Sequence, residues 1–195
     1  MKYLVAAFLT LTVFSLNAQD FNKHLATARA SYSSKKLDDA RFAMQQMLQE
    51  LDIMAGKDIL KLLPVKFDAL SANIANDNVM SNSGFAGIMI QRDYGAGEKT
   101  AEIQIIGNSP LMASVNAILS LPFGNSSGNQ KVIKLEGYKA LFQKHIDQES
   151  NKVSYEIQIP LNASLLSFKA NGLTEDTVLK LAATIPVGQL ASMIQ

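Results

Sequence analysis

The chain holds two histidines and no cysteine among 195 residues, and that inventory limits its chemistry before any fold is considered. Without cysteine there is no disulfide, thiol nucleophile, Cys-based zinc site or iron–sulfur cluster. His24 and His145 stand apart. Neither has a carboxylate at i+3 or i+4 on a helix face that would bind a metal; Glu149 follows His145 by four residues but falls in a polar turn. No Gly-x-Ser-x-Gly elbow occurs.

Glu102 and Glu156 are outward residues of two alternating strands, so they can approach each other on one sheet surface. Glycoside hydrolysis needs two acids projecting into a cleft, and a solvated strand face accounts for this pair more simply. Asp38 and Asp39 sit where a helix begins and suit its positive end. The two glycines of GAGEK (95–99) have the wrong spacing for a phosphate loop and lead into a strand. No catalytic residue, metal ligand or cofactor is therefore expected. The candidate contact site is Arg92 with Tyr94: both share the face of Ile88 and Ile90 near the end of a strand, a polar pair at the rim of an apolar surface.

The elements that hold these residues follow from periodicity. Residues 85–94 read as a strand, apolar on both faces in its first half and so covered on both sides there. GAGEK turns the chain. Ala101, Ile103 and Ile105 then alternate with Thr100, Glu102 and Gln104, a half-buried strand. Ser109 caps a helix with Pro110 at its first position, and Leu121-Pro122 stops it. Strands follow at 132–135, at 138–145, around Val153, Tyr155, Ile157 and Ile159, and around Leu166, Phe168 and Ala170. Thr174 caps a further helix, and a short one closes the chain at 187–194. The order from residue 83 is β-β-α-β-β-β-β-α. Sequential hairpins with helices grouped on one face describe an α+β domain with a mostly antiparallel sheet.

The first half reads differently. Lys2, an apolar run of 13 residues (4–16) and the polar Asn17-Ala18-Gln19 describe a secretory signal over 1–19, cut near Ala18 and Gln19. No later segment approaches the ~20 apolar residues of a membrane span. Phe21, Leu25, Ala28 and Tyr32 form one helical stripe. Leu37, Ala40, Met44, Met47, Leu48 and Leu51 form a second after a turn at Lys35-Lys36, which makes an antiparallel hairpin over 20–64. Gly56 breaks the pattern, and a short helical turn at 59–63 ends at Pro64. The Asn-, Ser- and Ala-rich stretch 65–82 is a connector or one exposed strand. The α+β domain then occupies 83–195.

The formal charge is +1, and setting Lys2 aside leaves 17 basic against 17 acidic side chains. The even balance, with lysines scattered, leaves no footprint for nucleic acid or an anionic membrane.

Several resemblances follow from the residues and from the order of elements. The hairpin's Ala28, Tyr32, Leu37, Ala40 and Leu48 resemble a single tetratricopeptide repeat. Such repeats bury their core by stacking, so a lone copy must pack on something else. Leu63-Pro64, Arg92 and Tyr94, Gly97-Glu98-Lys99, Ile103-Gln104-Ile105, Asn108-Ser109-Pro110-Leu111, Leu119-Ser120-Leu121-Pro122 and Gly137-Tyr138-Lys139-Ala140 together resemble exported bacterial proteins of unassigned function. The Asn-Ala-Gln end of the leader is similar to exported proteins of Bacteroidetes-type bacteria. The element order is similar to PsbP/Mog1-like domains, which implies a binding or assembly module rather than an enzyme. The expectation is a periplasmic or secreted protein that binds a protein partner or envelope component. The alternatives are a carrier holding a small apolar ligand between sheet and helices and, less favoured, an unrecognised hydrolase.

Overall fold

The computed structural model describes residues 16–82, 87–121 and 128–194. Most of the expected leader, residues 1–15, lies outside them, as does the start of the strand expected from residue 85; Leu16–Gln19 belong to the first helix. The chain divides into two compact units between Leu51 and Asp52.

The first unit is a helical hairpin of α1 (Leu16–Ser33) and the N-terminal half of α2 (Leu37–Leu62). Lys35 makes the bend in the left-handed region (φ 60°), and its N–H and that of Lys36 close onto the carbonyls of Tyr32 and Ser31. Ala28, Ala40 and Ala43 are its buried residues. Across the two helices His24 Nε2 lies 3.4 Å from Glu50 Oε1.

The second unit is α+β. Its seven-stranded sheet is antiparallel throughout, in the order β3 (Asn78–Asn82), β4 (Gly87–Ala96), β5 (Lys99–Gly107), β9 (Ser164–Asn171), β8 (Val153–Leu161), β7 (Tyr138–Ile146), β6 (Gln130–Leu135). After β5 the chain crosses by α3 (Met112–Leu119) to the far edge. It then returns strand by strand until β9 pairs with β5. Glu136 and Gly137, both at positive φ, turn β6 into β7. The expected alternation holds: Ala101, Ile103 and Ile105 on β5 and Tyr155, Ile157 and Ile159 on β8 are buried. So are Leu166, Phe168 and Ala170 on β9. That face packs with α4 (Glu175–Ala182), α5 (Val187–Met193), Ile59 and Leu60 of α2, and Leu63 just after it. Thr174 caps α4 as expected, its hydroxyl accepting from Thr177 N–H. Asn162 Nδ2 ties the last helix down through the Ile194 carbonyl at 2.6 Å.

Three expectations are corrected and a fourth is extended. The helices are not grouped on one face: Val115 and Leu119 of α3 pack with Leu141 and Leu165, which point away from the main core. These leucines occupy outward positions of β7 and β9 and make a local apolar seat. Ser109 accepts from Leu111 N–H at 3.3 Å, but the regular helix starts at Met112, beyond the expected Pro110.

Gly56 does not end the hairpin's second helix, which runs on to Leu62. A Cβ at Gly56 would lie 2.5 Å from Val79 Cγ1 and 2.8 Å from Ile88 Cδ1. The glycine thus allows the helix to come close to β3 and β4, and this contact offsets its poor helix propensity of about 1 kcal/mol.

Of the two readings of 65–82, a connector or one exposed strand, the strand holds and more is present. The stretch carries β1 (Lys66–Phe67) and β2 (Leu70–Ser71), a 3-10 turn (Ile74–Asn76), and β3, an outer strand of the sheet. Its Asn and Ser content reads as linker because an edge strand has only one hydrogen-bonded side and needs few apolar residues.

Candidate functional site

Arg92 and Tyr94 sit on β4, on the same face as Ile90, as their two-residue spacing requires. The structure does not leave them at a rim. Both are buried, Tyr94 completely. Arg92 donates from Nε to Asp77 Oδ1 at 2.9 Å, from Nη2 to Asp77 Oδ2, and from Nη1 to the Leu63 carbonyl at 3.0 Å. One guanidinium thereby joins the end of α2, the segment before β3, and β4. The bond to the Asp77 carboxylate raises the Arg92 pKa, against the opposing effect of burial. Phe67 packs on Tyr94 with ring centroids 4.5 Å apart, and on Phe168 at 5.4 Å. Among the described residues the Tyr94 hydroxyl meets no partner at full hydrogen-bond geometry, with the Arg92 guanidinium its nearest charged group. Burial raises its pKa, and the Arg92 charge lowers it by less. Three of the five guanidinium N–H groups go to Asp77 and Leu63, and the guanidinium acts on the phenol as a nearby charge and donor. Asp77 is the residue that sequence reasoning missed. An acid set among asparagines, 15 residues before a strand arginine, was the signal.

Glu102 and Glu156 do reach one sheet surface. In register across β5, β9 and β8 they stand on either side of Lys169. Two strand spacings separate their backbones, about 10 Å. Lys169 Nζ is 4.0 Å from Glu102 Oε1. Gln91 Nε2 donates to Asp93 Oδ1 at 3.2 Å and to Glu102 Oε2 at 3.4 Å, and Gln158 Nε2 donates to Glu156 Oε1 at 3.1 Å. His145 Nε2 approaches Glu156 Oε2 at 3.8 Å. Desolvation raises the Glu102 pKa; Lys169 opposes that, and Asp93 and Glu156 add to it. The register sets these acids side by side along a row rather than facing each other across a reacting bond. Among the described residues no group of three or more His, Asp or Glu side chains is placed to hold a metal ion. A hollow of about 250 Å³ beside α3, lined by Asn116, Leu119, Ser120, Lys139 and Pro160, is open and largely polar.

The surface with most to offer a partner lies on the hairpin. The expected second stripe splits in two. Ala40 and Ala43 are buried and Met47 is half-buried, whereas Leu37 is 62% exposed, Leu48 61%, Met44 49% and Leu51 47%. These four stand at i, i+7, i+11 and i+14, one line along the helix. Tyr32 and Phe42 are exposed as well. The sequence places Leu37, Met44, Leu48, Leu51 and Tyr32 on stripes expected to face inward, and Phe42 on neither stripe. The available signal was an apolar arc on α2 too wide for a single neighbouring helix to cover. No helix among the described residues is long and apolar enough to cross a membrane. Comparisons with protein-family models, with curated proteins and with solved structures return no match for this chain.

Proposed function

We propose that the chain is an exported, non-enzymatic interaction protein of the cell envelope, and that it binds a protein partner through its helical hairpin. The observation that carries this is the line of Leu37, Met44, Leu48 and Leu51, large apolar side chains left in water on an otherwise regular helix. An apolar line of that kind is the helix-in-groove or helix-on-helix mode of recognition. The α+β unit is the scaffold, its core filled by its own helices and its outward face paired into a polar row. Export is supported by Lys2, the 13-residue apolar run and the polar residues after it.

The test is capture from envelope extract with the native chain and with Leu48→Glu, checked to have native helicity. The expected result is a defined set of proteins held by the native chain and released by the variant. Equal capture by both would sink the reading. Fractionation, with sequencing of the N-terminus, checks the export half: the mature chain should begin near residue 19 or 20.

A further inference from the structure

We infer that the hollow beside α3 binds a small polyhydroxylated anion, an acidic sugar held by its carboxylate or phosphate, through Lys134, Lys139, Asn116 and Ser120. The site belongs to the α+β unit, and it goes beyond the hairpin reading without depending on it.

The hollow is a parting of the sheet. β7 and β8 pair from Ile146 and Val153 to Leu141 and Gln158, and then separate. Each strand goes on with its other neighbour: Lys139 pairs with Lys134 of β6, and Pro160 with Leu165 of β9. Continuing the β7–β8 register would set Pro160 against Lys139, but Pro160 has no N–H to give the ladder. Asn116, Leu119 and Ser120 at the end of α3 wall the space left, about 250 Å³. That is smaller than the pockets that enclose drug-sized ligands, so the occupant is small.

The lining asks for an anion. Lys139 Nζ donates to the Leu119 carbonyl at 3.3 Å and so closes the end of α3. An ammonium group carries three donors, and this contact uses one. Lys134 stands directly opposite Lys139 on the same face, exposed, and no hydrogen bond or ion pair holds it among the described residues. Like charges set opposite each other are unfavourable, and capping α3 needs Lys139 alone. An oxyanion between the two ammonium groups turns that repulsion into charge-assisted hydrogen bonds.

The rest of the lining asks for hydroxyl groups. Ser120 Oγ donates to the Asn116 carbonyl at 2.7 Å, so what it offers a ligand is lone pairs. The Asn116 amide can donate and accept. Leu119 and Pro160 add apolar surface for the C–H face of a ring. Acetate would use the lysines only and a neutral sugar the other groups only; an acidic sugar uses both.

The test is calorimetric titration of the purified chain with glucuronate and with glucose phosphate, against acetate and neutral glucose. At least one of the two acids should bind saturably and at least about tenfold tighter than either control, and the acid that binds identifies the head group. Lys134→Gln and Lys139→Gln should each weaken that binding by at least about tenfold. Lys144→Gln, which removes the same charge from the opposite face of β7, should leave it unchanged. Lys134→Gln carries the test even if Lys139→Gln loosens α3, because Lys134 holds no element in place. No saturable binding of either acid overturns the inference. So does acetate bound as tightly as both acids, or an equal loss in Lys144→Gln. None of these results alters capture through the hairpin, so the two readings fail separately.

Discussion

The two units of this protein use opposite rules for their apolar residues. In the sheet unit the large side chains are inside: Phe67, Tyr94, Ile103, Ile157 and Phe168 are all at or below 1% exposure. In the hairpin the small ones are inside, Ala28, Ala40 and Ala43, and the large ones are outside. Burying a Leu, Met or Phe side chain stabilises by about 1.5–3 kcal/mol, and Ala far less. The sheet unit thus has a core sufficient to hold its own fold. The hairpin depends on helix propensity, close Ala packing and whatever covers its outer line. The difference teaches that exposed apolar residues in the hairpin are unspent binding energy, while the same residue types in the sheet unit are already used.

The largest effect expected belongs to the sheet unit. Asp77→Ala leaves Arg92 buried without its counter-ion and should cost roughly 3–5 kcal/mol in urea unfolding, whereas replacing both partners by apolar residues should come out near neutral. A loss below 1 kcal/mol for the single variant would show that the strap before β3 is not held by this pair.

Gly56→Ala comes next, at about 1–3 kcal/mol destabilising, because the new methyl collides with Val79 and Ile88. Helix propensity alone predicts the opposite sign, so the direction of the change in melting temperature decides between them.

Tyr94→Phe removes a buried hydroxyl that meets no partner at full hydrogen-bond geometry among the described residues, and should stabilise by up to about 1 kcal/mol. The raised phenol pKa adds a pH signature. A group whose folded pKa lies above its unfolded value binds more protons in the folded state, so its contribution is present below the unfolded pKa and lost as pH rises through the folded one. The native chain should therefore lose stability in the alkaline range where a free tyrosine ionises, and Tyr94→Phe should lose less. Parallel denaturation curves at neutral and alkaline pH read this directly.

The smallest effect is the sharpest contrast. Leu48→Gln, measured at concentrations too low for association, should change stability by less than about 0.5 kcal/mol. A cost of several kcal/mol would mean that the hairpin's outer line is core after all, and the comparison between the units would fall.

How much was legible divides along the same line. Alternating strands were readable wherever one face is buried, because a period of two cannot sit on a solvated or doubly covered strand without losing its pattern. That is why β5, β8 and β9 and the turn at Glu136-Gly137 were readable from their residues. β3 was readable only as one of two alternatives, a connector or an exposed strand, since an edge strand of Asn, Val, Met and Ser needs only one partner and carries little apolar signal. Glu102 and Glu156 were readable as neighbours on one face, but their separation by Lys169 required the strand order, which no local pattern contains. Arg92 and Tyr94 were readable as sharing a face. Whether that face met water or protein depended on Asp77, 15 residues before Arg92, and Phe67, 27 before Tyr94.

By itself the sequence determined what is local: the element types from β4 onward, the α+β class, the helical hairpin, and the absence of cysteine chemistry. Those properties rest on side-chain spacing of two or 3.6 and on residue identity, which act over a few positions. Tertiary structure alone decided which side of α2 is buried, that α2 continues through Gly56, that β9 returns to pair with β5, and that Arg92 is a structural clamp. Each of these depends on contacts between residues far apart in the chain, where the choice of neighbour rather than the residue's own preference sets the lowest free energy.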